Sequence, residues 1–413
     1  MSFLPVAAIL SGVTLMQFGN TLFAVLLPIR LELMASPAWL VGVVTSAYSL
    51  GFLFGCRRAQ GLVRTVGHIR AFAALSALCC VFALTFVEYA EPGLWALLRL
   101  AMGFCLAGLF ITAEGWLNAV TPGHQRGRVL SVYMILTKVA NIASQLLLAV
   151  GEVLAKGWFV LAGAAFSAAL VPVALTRAPQ PPLPAVERMG LRRLARLAPA
   201  AIAGTTVAGL VNGAVIGLFP VYGARIGLDV PFTVTLLSLL QIGSLVLQWP
   251  LGWLSDRTDR RFVIVGCATM VAALSLLLPL CGPGDRWLLA LLAFLWGGFA
   301  LSFYGLCIAH AADFAPPEQM VAVSGSALLA WASGSVAGPV VASALIDLFG
   351  AAALFGYAAA VDAALVGFVL YRIVRRAPKF PDARAPFVNL PATSPAVGTI
   401  DPRAREPSDE NGL

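Results

Sequence analysis

Residues 5–28 read PVAAILSGVTLMQFGNTLFAVLLP, and residues 199–222 read PAAIAGTTVAGLVNGAVIGLFPVY. Neither stretch holds a charged side chain, and each is long enough to cross a bilayer core, which takes about 20 residues of helix. The two can be laid on one another. Gly12, Thr14, Asn20 and Pro28 of the first match Gly204, Thr206, Asn212 and Pro220 of the second, all at an offset of 192 residues. A nearby offset brings Gly61 over Gly252 and Arg70 over Arg261, and Thr121-Pro122 falls over Pro316-Pro317. The chain therefore reads as a duplicated six-helix unit, with a solute site expected between the copies near the membrane midplane.

Working outward, apolar runs follow at about 37–57, 68–88, 93–119, 129–151 and 157–176, and after the second copy begins at 232–254, 261–281, 287–312, 320–346 and 350–374. The expected architecture is an all-α membrane protein of twelve transmembrane helices in two pseudo-symmetric six-helix bundles. Residues 1–176 and 199–374 form the bundles. Residues 177–198, rich in proline and arginine, form a cytoplasmic linker with one short amphipathic turn. Residues 375–413 form a polar, proline-rich tail that is expected to be disordered. The first apolar run follows no basic region or cleavage site and is expected to be retained.

Composition agrees. Of 413 residues, 60% are apolar and 11% charged, with mean hydropathy +0.90; a water-soluble surface draws on roughly 25% charged residues. The formal charge of +8 could suggest nucleic acid, but the basic residues sit in short loops, where membrane orientation requires them. Arg57, Arg58, Arg64, Arg70, Arg126, Arg128, Arg257, Arg260, Arg261, Arg372 and Arg375 fall on one side, with the linker arginines. Arg30, Lys156, Arg225 and Arg286 fall on the other. This places both termini in the cytoplasm, in a multi-pass protein of the inner membrane. Seven cysteines without a Cys-x-x-Cys spacing argue against metal or disulfide chemistry. No Walker motif, metal-ligand cluster or nucleophile–base pair argues for an enzyme, and no cofactor is expected.

Gly252-Trp-Leu-Ser-Asp256-Arg257-Thr-Asp-Arg260-Arg261 resembles the signature loop of the major facilitator superfamily, with Asp259 in place of its second glycine. The resemblance spans the membrane-embedded length and implies a secondary transporter. In that family the loop bridges helix ends and holds the cytoplasmic side closed. The equivalent Gly61-Leu-Val-Arg64-Thr-Val-Gly67-His68-Ile-Arg70 carries no aspartate. Arg99 and Gly103 are similar to the family's fourth-span R-x-x-x-G pattern. The antiporter pattern G-x-x-x-G-P is absent from span five and present in span eleven as Gly334 to Pro339. Glu114-Gly-Trp116-Leu-Asn118 and His310-x-x-Asp313 resemble a branch of bacterial transporters without agreed substrates.

Ionisable residues within a membrane are costly and each needs a role. Glu114 and Lys138 lie at similar depths on adjacent antiparallel helices and are expected to pair, as a switch or as a static bridge. Lys138, Asn141 and Gln145 put a polar stripe on span five, where Lys138 could meet an anionic group. Gln17 and Asn20 share a face of span one, with Asn212 as the repeat partner of Asn20; such amides line a cavity or tie helices together. Arg99 faces the cavity or snorkels outward. Gln241, Tyr304 and Trp331 are further wall candidates, and Asp362 is a proton-site candidate by depth. Gly252, Asp256, Arg257, Arg260, Arg261, Arg70, His310 and Asp313 form the expected cytoplasmic gate. The function expected is secondary active transport of a small organic solute by a monomer, with protons as a candidate coupling ion. Efflux of drugs or metabolites is the alternative within transport. A non-transporting sensor or assembly factor is the alternative outside it.

Overall fold

The computed structural model describes residues 4–176, 190–375 and 386–404, and every regular element among them is helical. The first half comprises α1 (Leu4–Leu33), α2 (Ala38–Val66), α3 (His68–Glu88), α4 (Pro92–Val120), α5 (Arg126–Val150) and α6 (Gly157–Ala174). After the short α7 (Leu191–Leu197) come α8 (Pro199–Arg225), α9 (Val230–Arg257), α10 (Arg260–Leu277), α11 (Arg286–Ala312), α12 (Met320–Phe349) and α13 (Ala353–Arg375). Twelve of these are long and apolar enough to cross a membrane, as the hydropathy pattern requires. The even number puts residue 4 and residue 375 on one face, here the termini face.

Several helices run past the expected ends of their apolar runs. Helix α1 continues through Pro28 to Leu33, and α8 through Pro220 to Arg225. A membrane helix tolerates the hydrogen bond proline removes, because neighbouring helices and side chains satisfy the freed carbonyl. Helix α2 runs nine residues beyond the expected 57 to Val66, carrying Arg57, Arg58 and Arg64 out of the apolar zone rather than ending at them. The linker's amphipathic turn is α7, whose Leu194 is buried; the rest of the linker, residues 177–189, lies outside the described residues. Asp229 caps α9 by accepting the Phe232 N–H at 2.7 Å. Asp259, the departure from the signature loop, caps α10 by accepting the Arg261 N–H at 3.0 Å.

The duplication read from spacing reappears as packing. Helix α2 lies on α4 as α9 lies on α11, and α3 on α6 as α10 on α13. Glycines make the first of these contacts possible. A Cβ added at Gly51 would stand 1.8 Å from the Leu100 carbonyl oxygen, and one at Gly103 would stand 2.1 Å from that of Tyr48. In the second half Gly243 would meet Phe294 O at 1.9 Å, and Gly297 would meet Leu240 O at 2.3 Å. Backbones this close exclude any side chain, as at the small-residue seams of membrane helices. Gly334 and Gly338 do the same between α12 and α8, at 2.3 Å from Thr206 O and 2.1 Å from Leu210 O. The G-x-x-x-G-P pattern of span eleven is thus a packing seam. The halves meet through α2 against α12, α5 against α9 and α1 against α8, which leaves a space between them.

The tail departs most from expectation. Of the tail expected to be disordered, residues 386–404 pack between the halves at the termini face, with a short 3-10 helix at Pro395–Ile400, while 376–385 and 405–413 lie outside the described residues. Leu390, Val397 and Ile400 are each at most 1% exposed. The physical reason is local: residues 387–400, FVNLPATSPAVGTI, carry no charge and bury apolar side chains that the composition of the whole tail conceals.

Candidate functional site

The space between the halves forms two chambers. The larger, about 320 Å³, lies toward the termini face. The smaller, about 180 Å³, lies toward the far face. Asn20, Tyr48, Asn212 and Trp331 belong to both linings and stand between them. Gln17, Lys138, Asn141, Gln241 and Tyr304 wall the larger chamber and Arg99 the smaller, so nine of the eleven candidate residues face this space.

Its polar groups are held from several helices. On α1, Gln17 donates to Asn141 Oδ1 at 2.9 Å and Thr21 donates to the same atom at 2.7 Å, which fixes α1 against α5. Asn20 Nδ2 reaches the Tyr48 hydroxyl at 3.3 Å. Asn212, the repeat partner of Asn20, instead donates to the Ala300 carbonyl at 3.1 Å and ties α8 to α11. The amides of the duplicated span thus serve both as wall and as cross-helix bonds.

Two cations face the chambers. Lys138 Nζ donates across the halves to Gln241 Oε1 at 2.8 Å and Ser244 Oγ at 3.4 Å. The expected Lys138–Glu114 pair does not form. Depth, which sequence fixes, is matched, but azimuth is not, and Lys138 turns toward α9. Glu114, fully buried, accepts the Tyr133 hydroxyl at 2.6 Å together with the Thr393 and Ser394 hydroxyls of the tail. Arg99 does not snorkel. It is 4% exposed, its guanidinium lies 4.4 Å from the Tyr48 ring centroid, and its Nη1 has no hydrogen-bond partner. Among the described residues no aspartate or glutamate lines either chamber. The chambers therefore hold positive charge met only by neutral acceptors and an aromatic face, an arrangement that favours an anion. Asp362 is buried in α13 and lines neither chamber, so the structure separates it from the other coupling candidates. Gln145 is buried beside its stripe but outside both linings.

The far face is closed across the halves. Arg225 of α8 reaches Glu32 of α1 at 3.4 Å and Asp347 of α12 at 3.2 Å. Asp347 also accepts the N–H groups of Ala38 and Trp39 at 3.0 and 2.8 Å, a carboxylate on the positive end of α2. At the termini face the expected gate residues cluster within the second half. Asp256 meets Arg260 at 3.0 Å, Arg260 meets Asp313 at 3.4 Å, and Arg261 meets Asp259 at 2.7 Å. Arg257 stacks over Trp253 at 3.9 Å, His310 sits edge-on to Phe314, and Arg70 is exposed on α3. Gly252 makes room for the Phe387 ring, which a Cβ there would meet at 2.4 Å.

Sequence reasoning missed Tyr48 and the tail residues Asn389 and Thr393, all in the larger lining. A polar cluster, Thr45, Ser46, Tyr48 and Ser49, within the otherwise apolar stretch 38–56 of α2 was the available signal for the first.

The family model described as Major Facilitator Superfamily matches residues 9–257 and 201–400. A Yersinia pestis protein described as an uncharacterized MFS-type transporter is 27% identical over 383 residues, covering 91% of this chain and 96% of that protein. The uncharacterized MFS-type transporter YcaD of Salmonella newport is 26% identical over 369 residues, covering 87% and 93%. Among solved structures the nucleoside transporter NupG superposes with a TM-score of 0.74 at 14% identity, covering 90% of this chain and 99% of that one. A bacterial homologue of the lysosomal transporter Spinster, in an inward-facing and unoccupied conformation, gives 0.65 at 14% identity, covering 98% of each.

Proposed function

Because this chain belongs to the Major Facilitator Superfamily, we propose that it is a secondary active transporter for a small amphipathic organic anion. The observation that carries this reading is the presence of Lys138 and Arg99 in adjoining chambers between the halves, neither of which is lined by a carboxylate among the described residues. A bound anion would supply the missing countercharge, near Lys138 or between the two cations. The smaller chamber, walled by Phe23, Leu27, Val41, Val44 and Ile216 beside Arg99, suits an apolar body attached to that charge. In a site of low dielectric a cation already stripped of water binds an anion more strongly than an exposed one does.

Transport in this reading proceeds by alternating access. The Arg225–Glu32–Asp347 closure breaks to open the far face, and the halves rock about the α2–α12 and α5–α9 contacts. The Lys138–Gln241 bond spans α5 and α9, so a ligand that takes Lys138 from Gln241 loosens one contact between the halves. That gives the ligand different interactions in the two states, as any ligand-driven change requires. The arginine distribution supports a cytoplasmic termini face in an inner membrane, and protons remain the candidate coupling ion.

A thermal-shift screen of the purified protein tests the substrate class. Aromatic and aliphatic carboxylates at about 100 times their Kd are expected to stabilise the folded state by about 2.7 kcal/mol, and neutral sugars are expected to leave it unchanged. Stabilisation by cationic amphiphiles alone would instead favour the drug-efflux reading and overturn the anion assignment.

A further inference from the structure

The larger chamber is closed toward the termini face by residues of the tail. Asn389, Leu390, Pro391, Ala392 and Thr393 form part of its lining, so a solute leaving on that side meets this segment first. Its anchors come from both halves. In the first half, the Thr393 and Ser394 hydroxyls donate to the two oxygens of Glu114 on α4. In the second half, the Phe387 N–H donates to Asp256 Oδ1 at 2.9 Å. The signature-loop carboxylate, engaged by Arg260 of the next helix, thus also holds the tail.

Glycines shape the seat. Besides Gly252 under Phe387, a Cβ at Gly305 of α11 would meet Asn389 Oδ1 at 2.1 Å. On the segment itself, a Cβ at Gly398 would meet Val321 Cα of α12 at 2.9 Å. The segment also carries bonds of its own. Ser394 caps its 3-10 helix by accepting the Ala396 N–H at 3.0 Å, and Arg403 pairs with buried Asp401 at 2.7 Å while reaching the Pro386 carbonyl at 3.2 Å. A segment with its own turn, a charge-free buried face and polar bonds to both halves has the make-up of a detachable part. Polar bonds between hydroxyls and a carboxylate can be exchanged for water bonds on release at small net cost.

We propose that residues 387–400 are a removable plug that closes the termini-side mouth of the chamber, latched by Thr393 and Ser394 on Glu114 of one half and by Asp256 on the other. Solute exchange on that face requires the plug to leave, and any factor that binds the free segment holds the transporter open on that side. The plug also explains what Glu114 does in place of pairing with Lys138: it is the latch of the segment, bonded through Tyr133 to α5.

The test reads access to the chamber and needs no solute, so it fails separately from the anion assignment. Thr137 lines the chamber and takes no part in the latch or in the bonds of Lys138. In full-length protein, a Thr137→Cys probe is alkylated with a membrane-impermeant maleimide in vesicles of each orientation, with the native cysteines measured alone as background. Releasing the two hydrogen bonds to Glu114 with Thr393→Val/Ser394→Ala should raise the alkylation rate from the termini face by about tenfold or more. Gly398→Leu, which displaces the segment by bulk while leaving both hydroxyls in place, should do the same. Neither variant alters a membrane-spanning helix, and gel filtration confirms the fold. Rates unchanged from the parent in both variants, or a parent already alkylated at the rate of an exposed thiol, would overturn the proposal and leave the segment a fixed part of the wall.

Discussion

Lys138→Ala is expected to weaken binding of an organic anion by about 30-fold or more, since truncating one partner of a buried, hydrogen-bonded charge pair costs ~2–5 kcal/mol. Among the described residues the side chain is the only cation lining the larger chamber, and it meets neutral acceptors, Gln241 and Ser244, so its charge is not already cancelled there. Removing it leaves the Gln241 oxygen short of one donor, a loss of about 1 kcal/mol of stability, which relief of a desolvated ammonium offsets. The variant should therefore fold. Titration calorimetry in detergent checks the prediction, with Lys138→Arg retaining part of the affinity because charge persists while shape changes. An affinity unchanged in Lys138→Ala would move the anion elsewhere.

The second large effect is on folding. Gly103→Val and Gly297→Val should each cost about 3 kcal/mol or more, above the usual range for overpacking, because the added atoms collide with backbone rather than with movable side chains. The Cβ at Gly103 would stand 2.1 Å from Tyr48 O, and the one at Gly297 would stand 2.3 Å from Leu240 Cα. These seams are the same contact in the two copies, α2 on α4 and α9 on α11, so the two variants should lose folded protein to similar extents. Gly356→Ala is the control. Nothing lies within 4 Å of its added Cβ, and in a helix that change is worth about 0.5–1 kcal/mol in favour of folding. Melting curves by fluorescence-detected gel filtration read all three, and a Gly103→Val melting as the parent does would refute the close backbone approach.

Sequence carried the architecture because the period and length of apolar runs are read one helix at a time. The offset of 192 between Asn20 and Asn212 carried the duplication, and the same spacing relates Gly51 to Gly243. Depth in the membrane was equally legible, which is why Gln17, Lys138, Asn141 and Gln241 meet one space. Rotation about a helix axis was not legible where one helix touches several partners. Glu114 and Lys138 share a depth and face different neighbours, and Asp362 is deep but on a helix away from the chambers. The tail was hidden for another reason. Its average composition is polar and proline-rich, and the charge-free run from Phe387 to Ile400 shows only when read residue by residue.

The most direct test is flux. Purified protein reconstituted in liposomes is assayed for uptake of aromatic and aliphatic carboxylates against neutral sugars and cationic amphiphiles, in parent and Lys138→Ala. The account predicts that a carboxylate is carried by the parent, that excess unlabelled anion competes, and that the folded Lys138→Ala retains less than about a tenth of the rate at subsaturating solute. Equal carboxylate flux in the two proteins, or flux of neutral or cationic solutes alone, would contradict it.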